Sequence, residues 1–451
     1  MAPELQHAPQ RARLSSCNAL ITVCLMSALA VSAQAAQKCV NPHGTSVCYS
    51  SISAAVSAAS PGDTINVGPG TYKEFVTIAK SLSLVGAGPY STIIDATGLS
   101  NAIYINNPAV PSPGVGVSDV VVTGFTIQNA NFEGILINGA SSVTIWGNHV
   151  IRNDKSLVPS PTAPACPGLT TVYPFETSEA DDCGEGIHLT NVNSSVIAYN
   201  TVDNNAGGIL VSDDSGPTHD NSIRNNIVTN NVYDCGITVP SHTPFGVYHN
   251  TISGNTVSGN GTSPLNGGGA GVGLFSPGGP TSNYGNSVVN NDLERNGIAG
   301  IAIHTHAPGT EILQDEVIVG NYIAHNGADS DMGLTASQTD GISLLVVGGN
   351  VSGIVISENT FEDEAEDIVI EAIPAVQVTA TLNHFSQNGI AIDNLAGSSA
   401  IVNATQDWWG CPSGPGTRGC ATITNVGGTV LSTPWLTSPV PKPSFVFPWV
   451  P

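Results

Sequence analysis

Basic residues are scarce in this chain: Lys and Arg number 11 among 451 residues, against 34 Asp and Glu, for a formal net charge of −23. A surface of this sign repels nucleic acid and anionic membranes, so we expect neither as a partner. Tight binding of a polyanionic polysaccharide is disfavoured as well, unless a divalent cation bridges the two. Because many secreted proteins are acidic for solubility alone, charge does not assign a function by itself.

Long apolar runs are missing after the N-terminal region. There, Arg11 and Arg13 precede an apolar stretch at 19–30 and a small-residue triplet ending at Ala35. This order predicts a secretory signal at 1–35. Since no later segment is long and apolar enough to span a bilayer, we expect a secreted or periplasmic protein. We also expect a monomer.

Cysteines are few, and seven of the nine follow the predicted signal. An exported chain favours disulfides, and proximity in sequence makes Cys39–Cys48, Cys166–Cys183 and Cys411–Cys420 the economical pairing, although sequence cannot fix connectivity. Cys235 is then left over, and we expect a small buried thiol beside a strand rather than a reactive one.

What the chain does contain is a repeated phrase between Gly124 and Asn388. Two asparagines five positions apart flank an apolar residue, and a second phrase, Gly-Ile-x-Ile or a close variant, stands between the copies. The full asparagine phrases begin at Asn148, Asn200, Asn226, Asn255, Asn291, Asn321 and Asn383, and the glycine phrases at Gly134, Gly186, Gly208, Gly236, Gly271, Gly300, Gly341 and Gly389. Repetition at roughly 22 to 40 residues predicts a solenoid.

Alternation within the repeats predicts short strands. Residues such as Ile187 and Leu189 should point inward, while the residues between them point out and stack from turn to turn. Asparagine suits the corners because it tolerates the left-handed backbone region and its amide can bond to the amide of the next turn. The helical spacing of apolar residues at 51–60, stopped by Pro61 and Gly62, predicts a short capping helix.

Together these features resemble the right-handed parallel β-helix of the pectin lyase-like superfamily, and more closely its NosD-like repeat proteins. The phrase Gln406-Asp-Trp-Trp-Gly410 is similar to the closing Asn-Trp-Trp-Gly element of such repeats, with Asp407 in place of asparagine. The resemblance implies an all-β chain with a cap at 36–62 and a β-helix at 63–440, before a proline-rich tail at 441–451. It implies no single function, because the superfamily contains lyases, hydrolases, epimerases, adhesins and metal-delivery proteins.

The segments after the Gly-Ile strands carry residues that a solenoid does not need. Aligned on the strand isoleucine, Asp214, His242, Pro277 and His306 share a column, and Ser212, Pro240, Phe275 and His304 stand two positions earlier. One turn upstream, the segment that contains Asp182, Glu185 and His188 leads into the same face. The candidate catalytic residues are Asp213, Asp214, His242, His304, His306, Asp182 and His188.

These residues favour polysaccharide cleavage by a hydrolase or a lyase. Paired carboxylates, Asp213 with Asp214 or Asp181 with Asp182, can act as acid and base on a glycosidic bond, while a histidine moves protons. The expected substrate is neutral or calcium-bridged. The Gly-His-Gly motif of polygalacturonases and the Asp-Pro-His-Asp motif of mannuronan epimerases are absent, so the resemblance assigns no catalytic role to any residue.

Two alternatives stay open. In a non-catalytic glycan-binding protein, loop aromatics such as Tyr233, Phe245, Tyr248 and Phe275 would stack on sugar rings. In a metal-binding protein, His304-x-His306 would join His242 and Asp214 around zinc or copper. With three methionines and no Cys-x-x-Cys, the sequence favours no transition metal and no certain cofactor, while its many Asp leave room for calcium.

Overall fold

The structure is a computed structural model that describes residues 35–107, 109–153, 185–263, 268–387 and 389–440, and the statements below concern these residues. The predicted signal peptide up to residue 34, the candidates Asp181 and Asp182, the predicted pair Cys166–Cys183 and the tail at 441–451 lie outside them. No helix in the described ranges has the length and hydropathy needed to cross a bilayer.

Forty-two short strands form three parallel sheets. The first sheet contains Gln37–Val40, Thr64–Val67, Leu82–Gly86, Val120–Thr123, Thr144–Trp146, Val196–Ala198, Ser222–Arg224, Thr251–Ser253, Ser287–Val289, Val317–Val319, Ile354–Ser357, Gln377–Thr381, Ile401–Asn403 and Thr429–Leu431. The second sheet contains Gly70–Tyr72, Thr92–Asp95, Thr126–Gln128, His149–Ile151, Thr201–Asp203, Ile227–Thr229, Thr256–Ser258, Asp292–Glu294, Tyr322–Ala324 and Thr360–Glu362.

The third sheet has two adjoining columns of strands. Most strands of the first column have five or more residues, and we call all strands of this column the long strands. They are Val76–Ile78, Ile103–Ile105, Ile135–Ser141, Glu185–Asn193, Gly207–Ser212, Ile237–Pro240, Val272–Ser276, Ile301–Thr305, Asp340–Val346, Glu366–Ala372, Ile390–Asn394 and Thr422–Asn425. Its short strands are Val117–Ser118, Thr218–His219, Val247–Tyr248, Ser282–Tyr284, Ile312–Gln314 and Asn350–Ser352. The columns are joined where Glu185–Asn193 pairs with both Gly207–Ser212 and Thr218–His219.

Each turn of the chain visits the three sheets in order, so every strand pairs with its counterpart one turn on. Apolar residues at the same position of successive turns therefore stack inside, as in the fully buried column Ile187, Ile209, Ile237, Val272, Ile301 and Ile342. Burial of each such side chain stabilises the fold by roughly 1.5–3 kcal/mol. The glycine of the Gly-Ile phrase is needed because a Cβ at Gly208 would collide with the carbonyl oxygen of Gly236.

Asparagine ladders line the inside of the corners. In the longest, the backbone N–H and the side-chain amide of Asn148 donate to Oδ1 of Asn200 at 3.0 and 3.2 Å. The same pair of bonds recurs at every turn through Asn226, Asn255, Asn291, Asn321, Asn359, Asn383 and Asp407. The predicted stacking of corner amides is thus confirmed.

The predicted left-handed backbone and the predicted amide ladder belong to different residues of each corner. The left-handed residue is the one immediately before the ladder position, such as Asn225 (φ 54°), Asn230 (φ 58°) or Asn290 (φ 54°), or a glycine such as Gly254. The ladder asparagines that follow are not in the left-handed region. A single left-handed residue turns the chain so that the next side chain points inward, where its amide meets the neighbouring turn.

The N-terminal segment covers the first turn. Helix Ile52–Ala58 lies within the predicted helical stretch, begins at the capping residue Ser51 and buries Ile52, Ala55 and Val56. Strand Gln37–Val40 extends the first sheet by pairing with Thr64–Val67. The Cys39–Cys48 and Cys411–Cys420 disulfides are present, as predicted. Cys235 is buried, also as predicted, and its Sγ accepts a hydrogen bond from Ala270 N–H at 3.2 Å.

Candidate functional site

The outward face of the third sheet carries the predicted site residues. Pro240 pairs with Phe275, and Phe275 pairs with His304, which confirms the alignment of these loops. His188 lies on the same face. It pairs with Leu210 on the next turn, and Leu210 pairs with Thr238 on the turn after that. Because the strand period is two, one column of this face holds His188 and another holds His304.

Asp213 has a different surrounding from its neighbour Asp214. Its carboxylate is fully buried and accepts five hydrogen bonds. Oδ1 accepts from the N–H groups of His242 (2.7 Å) and Thr243 (3.1 Å), and Oδ2 accepts from Gly246 N–H (2.8 Å) and the hydroxyls of Ser241 (3.0 Å) and Thr243 (2.9 Å). Burial raises the pKa of Asp213, and the hydrogen bonds from Gly246 and His242 oppose this rise. The geometry gives Asp213 the role of holding the 241–246 loop.

Asp214 lies at the centre of the first cluster. Its Oδ1 is 2.9 Å from Nδ1 of His242, and its Oδ2 accepts from the Ser212 hydroxyl and lies 3.9 Å from Nε2 of His188. His188 is buried, with Nε2 2.9 Å from the Ser212 hydroxyl and Nδ1 3.4 Å from Oε1 of Glu133. Carboxylates and imidazoles therefore alternate in one connected network, which we call the Asp214 cluster.

The electrostatics of the Asp214 cluster favour an ionised carboxylate. Burial acts to raise the pKa of Asp214, but the hydrogen bond and charge of His242 and the charge of His188 outweigh burial and lower that pKa. The side chains of Asp214 and His242 are 10% and 7% exposed. This arrangement can hold a proton on an imidazole beside a permanently negative group.

A second cluster surrounds His304, and we call it the His304 cluster. Nδ1 of His304 is 3.2 Å from Nε2 of His306, and Nε2 of His304 is 3.0 Å from Oδ2 of Asp329. Oδ2 of Asp331 is 3.5 Å from Nε2 of His306. The hydrogen bond from His306 is the main reason that the pKa of Asp331 is lowered, while hydrogen bonding to His304 overcomes burial and lowers the pKa of Asp329.

The structure does not bring all predicted residues together. A cleft of about 150 Å³ beside the second cluster is lined by Asp234, Cys235, Thr238, Pro240, Gly268, Phe275, Pro277, Ile298, His304, His306 and Asp331. Asp214 and His242 are not among these described lining residues. Phe275 and Pro277 lie on the turn that separates the two clusters. The prediction that His304 and His306 act together with Asp214 and His242 is therefore not supported by the geometry.

Comparisons with known proteins agree with the architecture. A family model described as a right handed beta helix region matches residues 90–279. The Dettilon tailspike protein superposes with a TM-score of 0.53 at 15% identity, over 82% of this chain and 62% of the tailspike. The chain therefore has the right-handed parallel β-helix fold. The predicted fold class is thus confirmed, while the finer likeness to NosD-like proteins stays a prediction.

Two enzymes are also similar to this β-helix. A polygalacturonase from Ralstonia solanacearum is 29% identical over 152 residues, so the alignment covers 32% of this chain and only 27% of that relative. An alginate lyase from Paenibacillus sp. str. FPU-7 matches with a TM-score of 0.49 at 13% identity, over 79% of this chain and 97% of the lyase.

The β-helix face around both clusters carries no cationic side chain on its strands. From Ile135–Ser141 to Ile390–Asn394, the long strands of the third sheet contain neither Lys nor Arg. Acidic residues stand there instead, including the buried Glu133, Glu185, Asp340 and Glu366. This face is therefore poorly suited to hold a polyanion directly.

Sequence reasoning missed part of both clusters. Glu133, Asp329, Asp331 and Ser343 were not among the predicted site residues. Glu133 could have been found, because Glu-Gly-Ile occurs both at 133–135 and at 185–187. The signal for the other acids was weaker: Asp329-Ser-Asp331 follows the corner asparagine Asn326 in an irregular segment, to which the repeat register does not extend.

Proposed function

We propose that this β-helix acts on an extracellular polysaccharide and cleaves a glycosidic bond at the Asp214 cluster. The observation that carries the proposal is the 2.9 Å contact between the carboxylate of Asp214 and Nδ1 of His242 on the outward face of the third sheet. An anionic group that orients an imidazole is a common acid–base arrangement. The similarity to a polygalacturonase over 152 residues supports a glycan as the substrate class.

Each residue of the cluster has a separate role in this proposal. Asp214 remains ionised and holds His242 in one tautomer and orientation, and His242 moves the proton at the bond that breaks. His188 and Glu133 form the buried end of the network and fix Ser212 and Asp214 from behind. Asp213 takes no part in proton transfer, because both of its oxygens are occupied by donors from the 241–246 loop, one turn further along.

The proposed substrate is a neutral glycan or an acidic one bridged by calcium. A formal net charge of −23 and strands without Lys or Arg on the working face both oppose direct binding of a polyanion. Secretion fits this substrate, and the two disulfides are compatible with it. Calcium and the monomeric state remain predictions.

The test is a panel of neutral and acidic polysaccharides, with and without calcium, assayed for new reducing ends and for the absorbance of unsaturated uronates. Reducing ends alone indicate a hydrolase, and the absorbance indicates a lyase. We expect Asp214→Asn and His242→Gln to lower kcat about 10²–10⁴-fold, because general acid–base catalysis contributes a factor of this size. Asp220→Asn, whose side chain is 55% exposed, is the matched control and should keep full activity. A variant of Asp214 with wild-type kcat would contradict the assignment.

A second candidate, glycan binding without cleavage, has its own supporting observation. A groove of about 330 Å³ at the corner between the first and second sheets is flanked by Tyr90 (75% exposed), Trp146 (49% exposed) and Tyr199. Nε2 of His149 in its wall contacts Oδ1 of Asp203 at 2.6 Å. Exposed aromatic faces beside polar groups suit the apolar face and the hydroxyls of a sugar ring.

We expect Trp146→Ala to weaken binding of an oligosaccharide about tenfold, since one aromatic stacking contact contributes on the order of 1 kcal/mol beyond its buried area. Titration calorimetry with the glycan retained best in affinity gels measures the change. Ile373→Ala removes a comparably exposed apolar side chain elsewhere and should leave binding unchanged. Equal affinities for wild type and Trp146→Ala would remove this groove from consideration.

A further inference from the structure

We infer that the His304 cluster is a binding site for a divalent transition-metal cation, with zinc as the best match. The metal ligands are Nδ1 of His304, Nε2 of His306 and Oδ2 of Asp331. This inference concerns a different cluster from the one proposed for catalysis, and it holds whether or not the protein cleaves a glycan.

The distances among the three atoms carry the argument. They are 3.2 Å between the two imidazole nitrogens, 3.5 Å from His306 to Asp331 and 3.9 Å from His304 to Asp331. Zinc binds imidazole nitrogen and carboxylate oxygen at about 2.0–2.2 Å, so two ligands of a tetrahedral site lie roughly 3.4 Å apart. The three atoms thus already stand at the separations that a shared cation requires.

The protonation of His304 points the same way. Ser343 donates its hydroxyl hydrogen to Oδ2 of Asp329 at 2.5 Å, and Nε2 of His304 faces both of these oxygens, at 3.2 Å from Ser343 and 3.0 Å from Asp329. Nε2 is therefore placed to donate to Asp329, and in the neutral imidazole of this tautomer the lone pair is on Nδ1. That lone pair is aimed at His306 and Asp331, as a metal ligand requires.

Asp329 supports two of the ligands at once. Its Oδ2 accepts from His304, and its Oδ1 accepts the N–H of Asp331 at 3.0 Å, which fixes the short 3-10 turn Ser330–Met332. Asp329 is itself held by a 2.8 Å bond from its N–H to Asp340. A buried carboxylate behind a ligating histidine is the usual outer support of a zinc site, because it fixes the tautomer and the ring orientation.

The site has access and an open direction. His304 is buried, whereas the side chains of His306 and Asp331 are 37% and 54% exposed, so a cation can enter from solvent. All three ligands also line the 150 Å³ cleft that contains Phe275. A fourth coordination position facing this cleft would be available to water or to an oxygen atom of a bound molecule.

The chemistry of the ligands selects the metal. Two imidazoles and one carboxylate suit zinc and related first-row cations, whereas calcium prefers six to eight oxygen ligands. The sequence disfavoured a transition metal because the chain has no Cys-x-x-Cys and only three methionines, and the ligand set it considered joined His304 and His306 with Asp214 and His242. The carboxylate ligand is instead Asp331, and Asp329 supports His304 from behind; both belong to a segment outside the repeat register.

The test uses the mature protein, stripped with chelator and then titrated with ZnSO₄ by calorimetry, with metal content measured after dialysis. We expect one equivalent of zinc, a rise in melting temperature on loading, and the intense visible absorption of tetrahedral cobalt after substitution with CoCl₂. His306→Ala and Asp331→Asn alter exposed side chains and should fold normally, yet each should weaken zinc binding at least 100-fold. Asp329→Asn should weaken it about 10–100-fold.

Matched controls separate this site from the others. His325 and Asp363 form an exposed pair at 3.7 Å without a third ligand, so His325→Ala should bind zinc like wild type. Glu133, Glu185 and His188 are a second group whose ligand atoms lie close together. If His306→Ala retains a full equivalent of zinc, or if stripped wild type binds none at millimolar ZnSO₄, the inference is wrong. Neither readout depends on catalytic activity.

Discussion

Replacing Asp213 with asparagine should destabilise the 241–246 loop by about 3 kcal/mol, although the side chain hardly changes in size. The reason is that both carboxylate oxygens accept backbone N–H groups: His242 and Thr243 on one side and Gly246 on the other. An amide must turn its NH₂ toward one of these sides. Backbone donors cannot rotate away, so at least one buried N–H group would lose its acceptor and face another donor.

Hydrogen exchange measures this effect locally, which matters because repeat proteins can lose cooperativity between turns. We expect the amides of His242, Thr243 and Gly246 to exchange at least 100-fold faster in Asp213→Asn, while amides of the Asn291 turn keep their rates. Asp220→Asn is the control for removing one negative charge from an exposed loop position. Unchanged protection of the loop would show that Asp213 is not its anchor.

This loop also explains why sequence alone could not assign the Asp213–Asp214 pair. Asp213 directly follows strand Gly207–Ser212 and Asp214 lies in the turn after it. The carboxylate of Asp213 accepts from the 241–246 loop, and that of Asp214 faces the network with His242. The sequence shows only that two acids are adjacent. Which of them accepts the buried N–H groups depends on the path of residues 241–246, one turn further along.

The scaffold was predictable because its determinants are repeated. The Gly-Ile strands and the corner asparagines recur from turn to turn, and the Asp-Trp-Trp phrase closes the series. Each of these features therefore supports the assignment of the others. The site was less predictable because its residues occur once. Register correctly placed Phe275 and His304 in one column, yet Asp329 and Asp331 belong to an irregular segment whose position no period determines.

The structure explains why acidic residues replace asparagine at the ends of the ladders. Three ladders have a carboxyl as their last described member: Asp407 after Asn383, Glu364 after Asn326, and Glu316 after Asn286. Each amide donates to the turn that follows it. The last position needs only to accept, so a carboxyl can replace the amide there, which accounts for Asp407 in the place of the usual asparagine.

Glu364 should make stability depend on pH, and this is the second large effect that we expect. Oε1 of Glu364 accepts the N–H and the side-chain amide of Asn326, both at 2.9 Å, and the side chain is buried. Burial raises the pKa of Glu364 to about 7 from a model-compound value of 4.5. A protonated carboxyl is therefore the form that the fold prefers.

The direction of the change in stability with pH follows from comparing proton binding by Glu364 in the folded and the unfolded chain. Below pH 4.5 both bind the proton, and the contribution of Glu364 to stability is fully present. Between pH 4.5 and 7 only the folded chain retains it, so unfolding becomes easier as pH rises; above pH 7 the contribution is lost. The span of pKa corresponds to about 3 kcal/mol, since one pKa unit is worth 1.36 kcal/mol.

Glu364→Gln isolates this term, because a neutral amide accepts the same two bonds at every pH. The free energy of unfolding of the variant minus that of wild type, from denaturant titrations, should increase by about 3 kcal/mol between pH 4.5 and pH 8. Taking the difference cancels buried acids that do not interact with Glu364, such as Glu316 and Asp407, whose pKa values burial also raises. Asp119→Asn, at an exposed position far from Glu364 along the chain, should give a difference that does not change with pH. A flat difference for Glu364→Gln would mean that the carboxyl is ionised in the fold and that the ladder tolerates a charge at its last position.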